Sequence, residues 1–343
     1  YALIGQVAQA VPVEQVNKYI QDMIGDTNIV ISLTGPEKEG LSYPTDEELL
    51  RDFMKAQQIP VEPYRETLSD EPLIPSLPAP GKITESKEDP LFGATVLTLS
   101  NGIKVVLKHT DFKKDEIQMT ATSPGGSTLF GNKDIDNLKV FNEVIELGGL
   151  GNFSATDLGK MLAGKKVSCS TSLGLDSENV NGSSTPSDLK TLFELIYLSF
   201  TAPRMDEEAY ASFENRMKAQ LKNLELNPMV AFSDSLTKAI YNNNPRAMRI
   251  DPADFKNISY PRIMEMYKER FGDASGFVFT FVGNIDTDSI RPLVEQYLAT
   301  LPANGKIEQG NPKEVPAIRK GDYVNRFKRQ METPKASVVN FYS

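Results

Sequence analysis

Residues 95–99 (TVLTL) and 103–108 (IKVVLK) are apolar, β-prone runs, and between them lies Asn101-Gly102, the strongest short signal for a hairpin turn. A third strand pattern covers 116–123 and enters the turn Pro124-Gly125-Gly126-Ser127. The period then changes. Ile135, Leu138, Phe141 and Ile145 recur at helical spacing over 134–147, and Gly148-Gly149 ends the run. Ser154 with Asp157 three residues later has the form of a capping box opening a short helix. Residues 166–173 and 178–183 read as antiparallel strands. Thr185-Pro186 opens a helix through Leu189, Leu192, Phe193, Ile196 and Phe200, because proline suits a first helical turn. Further helices are expected over 205–225, 230–241, 259–271 and 286–301, with a buried strand at 277–282 ended by Gly283. Strands followed by runs of helices, joined by hairpins rather than regular βαβ units, predict an α+β domain.

Upstream of residue 93 the texture differs. Residues 59–90 hold seven prolines and few large apolar side chains. Proline fixes φ and removes a backbone donor, so 58–92 reads as an extended acidic connector. Residues 1–92 carry 16 acidic and 7 basic side chains, whereas 93–343 carry 30 of each. The whole net charge of −9 therefore belongs to the first quarter of the chain.

Composition removes several chemistries. One histidine, His109, and one cysteine, Cys169, cannot supply the nitrogen and sulfur ligands of an ordinary zinc site, nor a disulfide framework. A Ser/His/Asp triad would have to use His109, which reads as a strand-end residue. The acidic balance argues against nucleic acid, and no run of 18 apolar residues suggests a membrane span. Asn284 to Asp288 with Glu295 has a faint calcium-loop spacing but lacks the sixth-position glycine, so Asp286 reads as a helix N-cap. Gly148-Gly149-Leu150-Gly151 reads as a helix–helix turn rather than a phosphate loop, and Cys169 as a core residue. The basic stretch 319–335 reads as charged edge strands or a contact for an acidic partner.

Residues 16–35 and 264–283 repeat a pattern at an offset of 248 residues: a helix with a tyrosine (Tyr19, Tyr267), a Gly-Asp break, an apolar run and a glycine (Gly35, Gly283). In each case an acid-started helix follows, over 44–57 and 286–300. The expected organisation is a tail of a preceding homologous domain at 1–57, the connector at 58–92, a domain at 93–305, and the start of a following domain at 306–343, with strands at 324–330 and 337–342.

The segments LTLSNGIKVVLK (97–108), SPGGST (123–128), APRMDEEAY (202–210), FENRMKAQLKNLELNP (213–228) and FVFTFVGNID (277–286) resemble, in this order, the insulinase/pitrilysin family of zinc metallopeptidases, which includes the mitochondrial processing peptidases. The resemblance implies a processing-peptidase-like (LuxS/MPP-like metallohydrolase) domain, an antiparallel sheet with helices on one face, several of which close around unfolded peptides. Active domains of this family carry H-x-x-E-H on the helix after the Gly-Ser turn, where two histidines one turn apart bind zinc and the glutamate activates water. Here that helix, 134–149, has no histidine, Glu143 falls near the place of the glutamate, and 214–223 shows no clearly placed third ligand.

The expectation is thus a degenerate, non-catalytic domain from the C-terminal half of such a peptidase, the third of four. It would line the substrate chamber and bind extended peptide by strand addition. No residue is assigned to catalysis, cofactor or metal; zinc belongs to a catalytic half outside this chain, either in the same polypeptide or in a partner subunit. Relatives of this layout in bacteria imply an envelope or periplasmic location. The alternative is a peptidase-like scaffold or interaction protein without proteolytic activity. A carboxylate hydrolase on pairs such as Asp134 and Asp136 rests only on common residue types. Limited proteolysis of the native chain is expected to cut first within 57–92, checked by mass spectrometry of the fragments.

Overall fold

The last strand in the chain lies in the middle of the sheet. The computed structural model describes residues 7–8, 10–23, 28–35, 40–61, 71–330 and 335–342, and the chain divides into two units, 1–67 and 68–343.

In the first unit, α1 (Val13–Met23) and α2 (Asp46–Gln57) are helices with no buried residue. Thr45 caps α2 in a full capping box with Glu48. The apolar run at 28–35 forms no strand ladder, and the Gly25-Asp26 break lies outside the described residues. The two copies of the repeated pattern differ in burial: Tyr19 is 68% exposed and Tyr267 only 3%. A helix face is buried only where another element is present to receive it, and α9 has the sheet.

The second unit contains a seven-stranded sheet in the order β1-β2-β3-β7-β4-β6-β5. Its strands are β1 (Ile83–Asp89), β2 (Ala94–Leu99), β3 (Lys104–His109), β4 (Ile117–Pro124), β5 (Val167–Leu173), β6 (Ser177–Ser184) and β7 (Val278–Gly283). All neighbours are antiparallel except β3 and β7, which run parallel from Lys104↔Val278 to His109↔Gly283. The α+β class and the helix-backed sheet are as expected; the parallel pair makes the sheet mixed. Parallel neighbours need a crossover connection, and here it contains most of the helices.

Those helices pack on one face. In β4, Ile117, Met119 and Ala121 are buried while Gln118, Thr120 and Thr122 are exposed. The short helix α5 (Ala155–Met161) precedes β5, and the helix α6 (Leu189–Thr201) buries nine of its residues, its Phe193 stacking on Phe281 of β7 at 5.1 Å between ring centres. The helix α9 (Tyr260–Phe271) adds Ile263, Met266, Tyr267 and Phe271 to the same core. Between them lie α7 (Glu207–Glu225) and α8 (Pro228–Ile240), each with an Asx cap, from Asp206 and Asn227.

Four features depart from the sequence reading. The helix expected at 134–147 is broken into α3 (Ile135–Lys139) and α4 (Phe141–Val144), because Val140 adopts φ −118°, ψ 5°, outside helical geometry. The helix expected at 286–301 is α10 (Thr287–Leu293) followed by a wide turn, Val294–Leu298. Pro292 offers no N–H to the preceding turn, and Ala299 donates to Val294 five residues back. The connector read over 58–92 does not extend to 92: Leu73 and Ile74 are buried and β1 pairs with β2 along Ser86↔Leu97. Proline limits helices, but it does not prevent an edge strand from forming between Pro80 and Pro90.

The strands expected at 324–330 and 337–342 form no ladder among the described residues. Residues 306–330 instead lie along the helices. Glu308 pairs with Arg270 and Glu314 with Arg246, while Arg319 donates to the carbonyls of Ala239 and Ile240 at the end of α8 (2.8 and 2.7 Å).

Ile83–Asp89, paired with β2 along its length, should accordingly resist early cleavage as well as β2 does, checked in the same proteolysis. Phe281→Ala, at a site with no exposed surface, should cost about 3–5 kcal/mol in urea unfolding, as expected for a truncated core phenylalanine.

Candidate functional site

Two surfaces are positioned by this sheet: its open face, and the helical segment 134–149 beside β5. The open face follows from the period of two along each strand. Gln118, Thr120 and Thr122 of β4 stand opposite Ser183, Asn181 and Asn179 of β6. On the other side they meet Val282, Thr280 and Val278 of β7. Thr122 donates to Asn179 (3.2 Å), and Ser168 and Ser183 share a hydrogen bond of 2.9 Å. Over these four strands the face carries hydroxyls, amides and two valines, and no charge. Charges enter beyond β7, through Lys104 and Lys108 of β3 and through Glu85, Lys87 and Asp89 of β1. Such a surface offers donors and acceptors to a peptide backbone without selecting for charge.

The segment 134–149 is held at both ends. Asp134, with its side chain 5% exposed, takes both Nε and Nη2 of Arg262 at 3.1 Å, a two-point pair with α9. The hydrogen bonds from Arg262 hold the Asp134 carboxyl below its ordinary value of 3.8. At the other end, Gly148 and Gly149 lie against the backbone at Arg204 and at Phe153 to Ala155. A Cβ at Gly148 would come within 2.0 Å of the Arg204 carbonyl, and Gly149 has φ +83°.

Glu143 is exposed at the surface of this segment. With Glu143 taken as the intervening carboxylate, the residues three before and one after it are Val140 and Val144. These are 2% and 0% exposed, packed in the core with Phe141 and Ile145. The positions that would carry imidazoles are therefore filled by buried aliphatic side chains, and a zinc ion does not fit the residues present. Among the described residues, no three His, Cys, Asp or Glu side chains converge as a metal site would require.

The remaining candidates resolve as local structure. His109 ends β3 and its Nδ1 lies 2.8 Å from the Ile285 carbonyl. Asp286 accepts the N–H of Ser289 at 3.1 Å and caps α10. Leu150 bridges to Phe153 and Pro203, so 148–151 is a turn between segments. Cys169 points among core side chains, where burial pushes its thiol up to about 12 and leaves it unreactive at neutral pH. Sequence reasoning passed over the open face, although the alternation QMTATS in β4 and ENVNGSS in β6 contains it.

Glu178, also unremarked in the sequence, lies beneath the glycine turn. It is 1% exposed, accepts the Gly126 N–H at 2.8 Å and faces Arg270 at 3.6 Å. Burial raises its carboxyl above the ordinary range. A side chain at Gly125 would meet that carboxylate at 2.5 Å, so the turn needs glycine for space as well as for its φ of +149°.

Comparison with known proteins gives a consistent set of likenesses. Residues 257–340 match the sequence family described as the peptidase M16 inactive domain. The chain is 26% identical over 276 residues to a zinc protease PQQL-like protein of Arabidopsis thaliana, covering 80% of this chain and 24% of that protein. The crystal structure of the periplasmic protease PqqL from Escherichia coli matches 78% of this chain and 30% of its own, with a TM-score of 0.63 at 19% identity. The ferredoxin protease FusC, solved in complex with Arabidopsis ferredoxin, matches with a TM-score of 0.59 at 21% identity, over 79% of this chain and 30% of that one. The chain spans about a quarter of the length of the curated relatives it matches.

Asp134→Asn is expected to cost about 2 kcal/mol at pH 7, since it leaves Arg262 without its two-point partner. An aspartate held below 3.8 stabilises the fold above that pH and loses its contribution as pH falls through the folded value. The gap between wild type and variant, followed by denaturation at stepped pH, should therefore narrow below pH 3.8.

Proposed function

We propose, from the match of residues 257–340 to the peptidase M16 inactive domain and the likeness to a PQQL-like zinc protease, that the chain serves as the non-catalytic wall of a zinc metalloendopeptidase. It holds an extended polypeptide against its open sheet face while a separate catalytic half cleaves it. The observation that carries this reading is the pairing of two features in one domain. The ligand positions of the family's metal helix are filled by buried Val140 and Val144, and the sheet nearby presents an uncharged hydroxyl and amide face.

The chemistry of that face supports holding rather than cutting. Side chains such as Thr120, Asn181 and Thr280 can each donate and accept, so they bind peptide backbone in many registers. Val278 and Val282, exposed at 42% and 37%, add apolar contact for whichever side chains lie above them. Hydrolysis would then be the work of the catalytic half, where a bound zinc would supply the water-activating chemistry. The periplasmic PqqL likeness supports a place in the cell envelope.

The test is reconstitution. The catalytic half is assayed on an unfolded polypeptide with and without this chain, with zinc and with chelator. The chain alone should bind far less than one equivalent of zinc and cleave nothing, and its addition should raise the activity of the catalytic half. Thr120→Glu with Asn181→Glu should raise KM about tenfold with kcat little changed, the signature of lost binding common to ground and transition states. Cleavage by the chain alone would overturn the reading, and a stable complex with no gain in activity would favour the scaffold alternative.

A further inference from the structure

The two edges of the sheet are treated differently by the sequence. β1 carries Glu85, Lys87, Glu88 and Asp89 and has a register shift between Ile83 and Glu85, features that discourage another strand from pairing. β5 reads VSCSTSL, with no charge and no proline, and by composition it is an open template.

The β5–β6 ladder sets which of its backbone groups face outward. Gly174 donates to Ser177 (2.7 Å) at one end, and Thr185 donates to Lys166 (3.2 Å) at the other. Even-numbered residues of β5 therefore bond inward, and Val167, Cys169, Thr171 and Leu173 turn their N–H and C=O groups to the edge.

The half of that edge nearest the hairpin is already occupied. Asn142 Oδ1 accepts the Leu173 N–H at 2.8 Å, and Asn142 Nδ2 donates to the Leu173 carbonyl at 3.2 Å. Glu146 Oε1 accepts the Thr171 N–H at 3.3 Å. A side-chain amide giving one acceptor and one donor to the same residue makes the two bonds that a neighbouring strand would make there. The two spacings match: a helical turn advances about 5.4 Å and two strand residues about 6.6 Å, so side chains four apart reach alternate residues of the strand. The same segment that lacks metal ligands thus applies its other side to the sheet edge.

We propose that residues 141–146 are an edge guard: Asn142 and Glu146 act as a short substitute strand that keeps extended polypeptides from joining the sheet at Thr171 and Leu173. The outward groups of Val167 and Cys169 have no hydrogen-bond partner among the described residues, but two residues give an incoming strand too few bonds to hold it. A polypeptide bound by this domain is thereby kept off its β5 edge. The guard stands on these hydrogen bonds and does not depend on the peptidase reading.

Asn142 and Glu146 lie on the exposed side of their segment, so the double variant Asn142→Ala with Glu146→Ala is expected to fold. Hydrogen–deuterium exchange of the full chain should show peptides covering 167–173 exchanging at least tenfold faster, with β7 and β4 unchanged. A fluorescein-labelled synthetic peptide of alternating threonine and valine should bind the variant at least tenfold more tightly than wild type. Asn142→Asp, which keeps the acceptor for the Leu173 N–H and loses the donor, should give intermediate exchange. Unchanged exchange in 167–173, acceleration spread evenly over the domain, or equal peptide affinity would each overturn the proposal.

Discussion

The pairing of β7 with both β3 and β4 is the constraint on which the rest depends. Without it, β1-β2-β3 and β4-β6-β5 are two separate three-stranded pieces. Phe279 and Phe281 of β7 are fully buried, and the ring of Phe193 on Phe281 fixes α6 across the middle of the sheet. The continuity of the neutral face passes through Thr280, and the position of β5 at the far edge follows from β6 being β4's other neighbour.

The helical segment 134–149 serves two neighbours at once. Val140 and Val144 turn inward and pack in the core, while Asn142 and Glu146 hold the strand beside them. An imidazole pair in a dry core would need metal or hydrogen-bond partners, whereas valine needs neither.

Much of this was legible because it is local. The Asn101-Gly102 hairpin, the Ser154–Asp157 capping box and the Asp286 cap each depend on residues within a few positions of one another. What was not legible depends on distant partners. The parallel β3–β7 pairing joins residues about 174 apart, from Lys104 to Val278, and no periodicity encodes it. The break at Val140 comes within a run of good helical spacing, where tertiary packing on β5 and α9 overrides the pattern. Residues 83–89 were hidden by composition, since a charged edge strand looks like a solvated connector. Alternation in the tail predicted strands, but alternation gives a ladder only where another strand is present to pair with.

The place of β7 also sets an order in time. A chain emerging from the ribosome has made β3 and β4 long before residues 278–283 exist, and until then both strands are exposed edges flanking an empty slot. The helices between them are local and can form early, but the sheet they cover closes only when its central strand is inserted. Unpaired strand edges of that kind are where folding chains mispair.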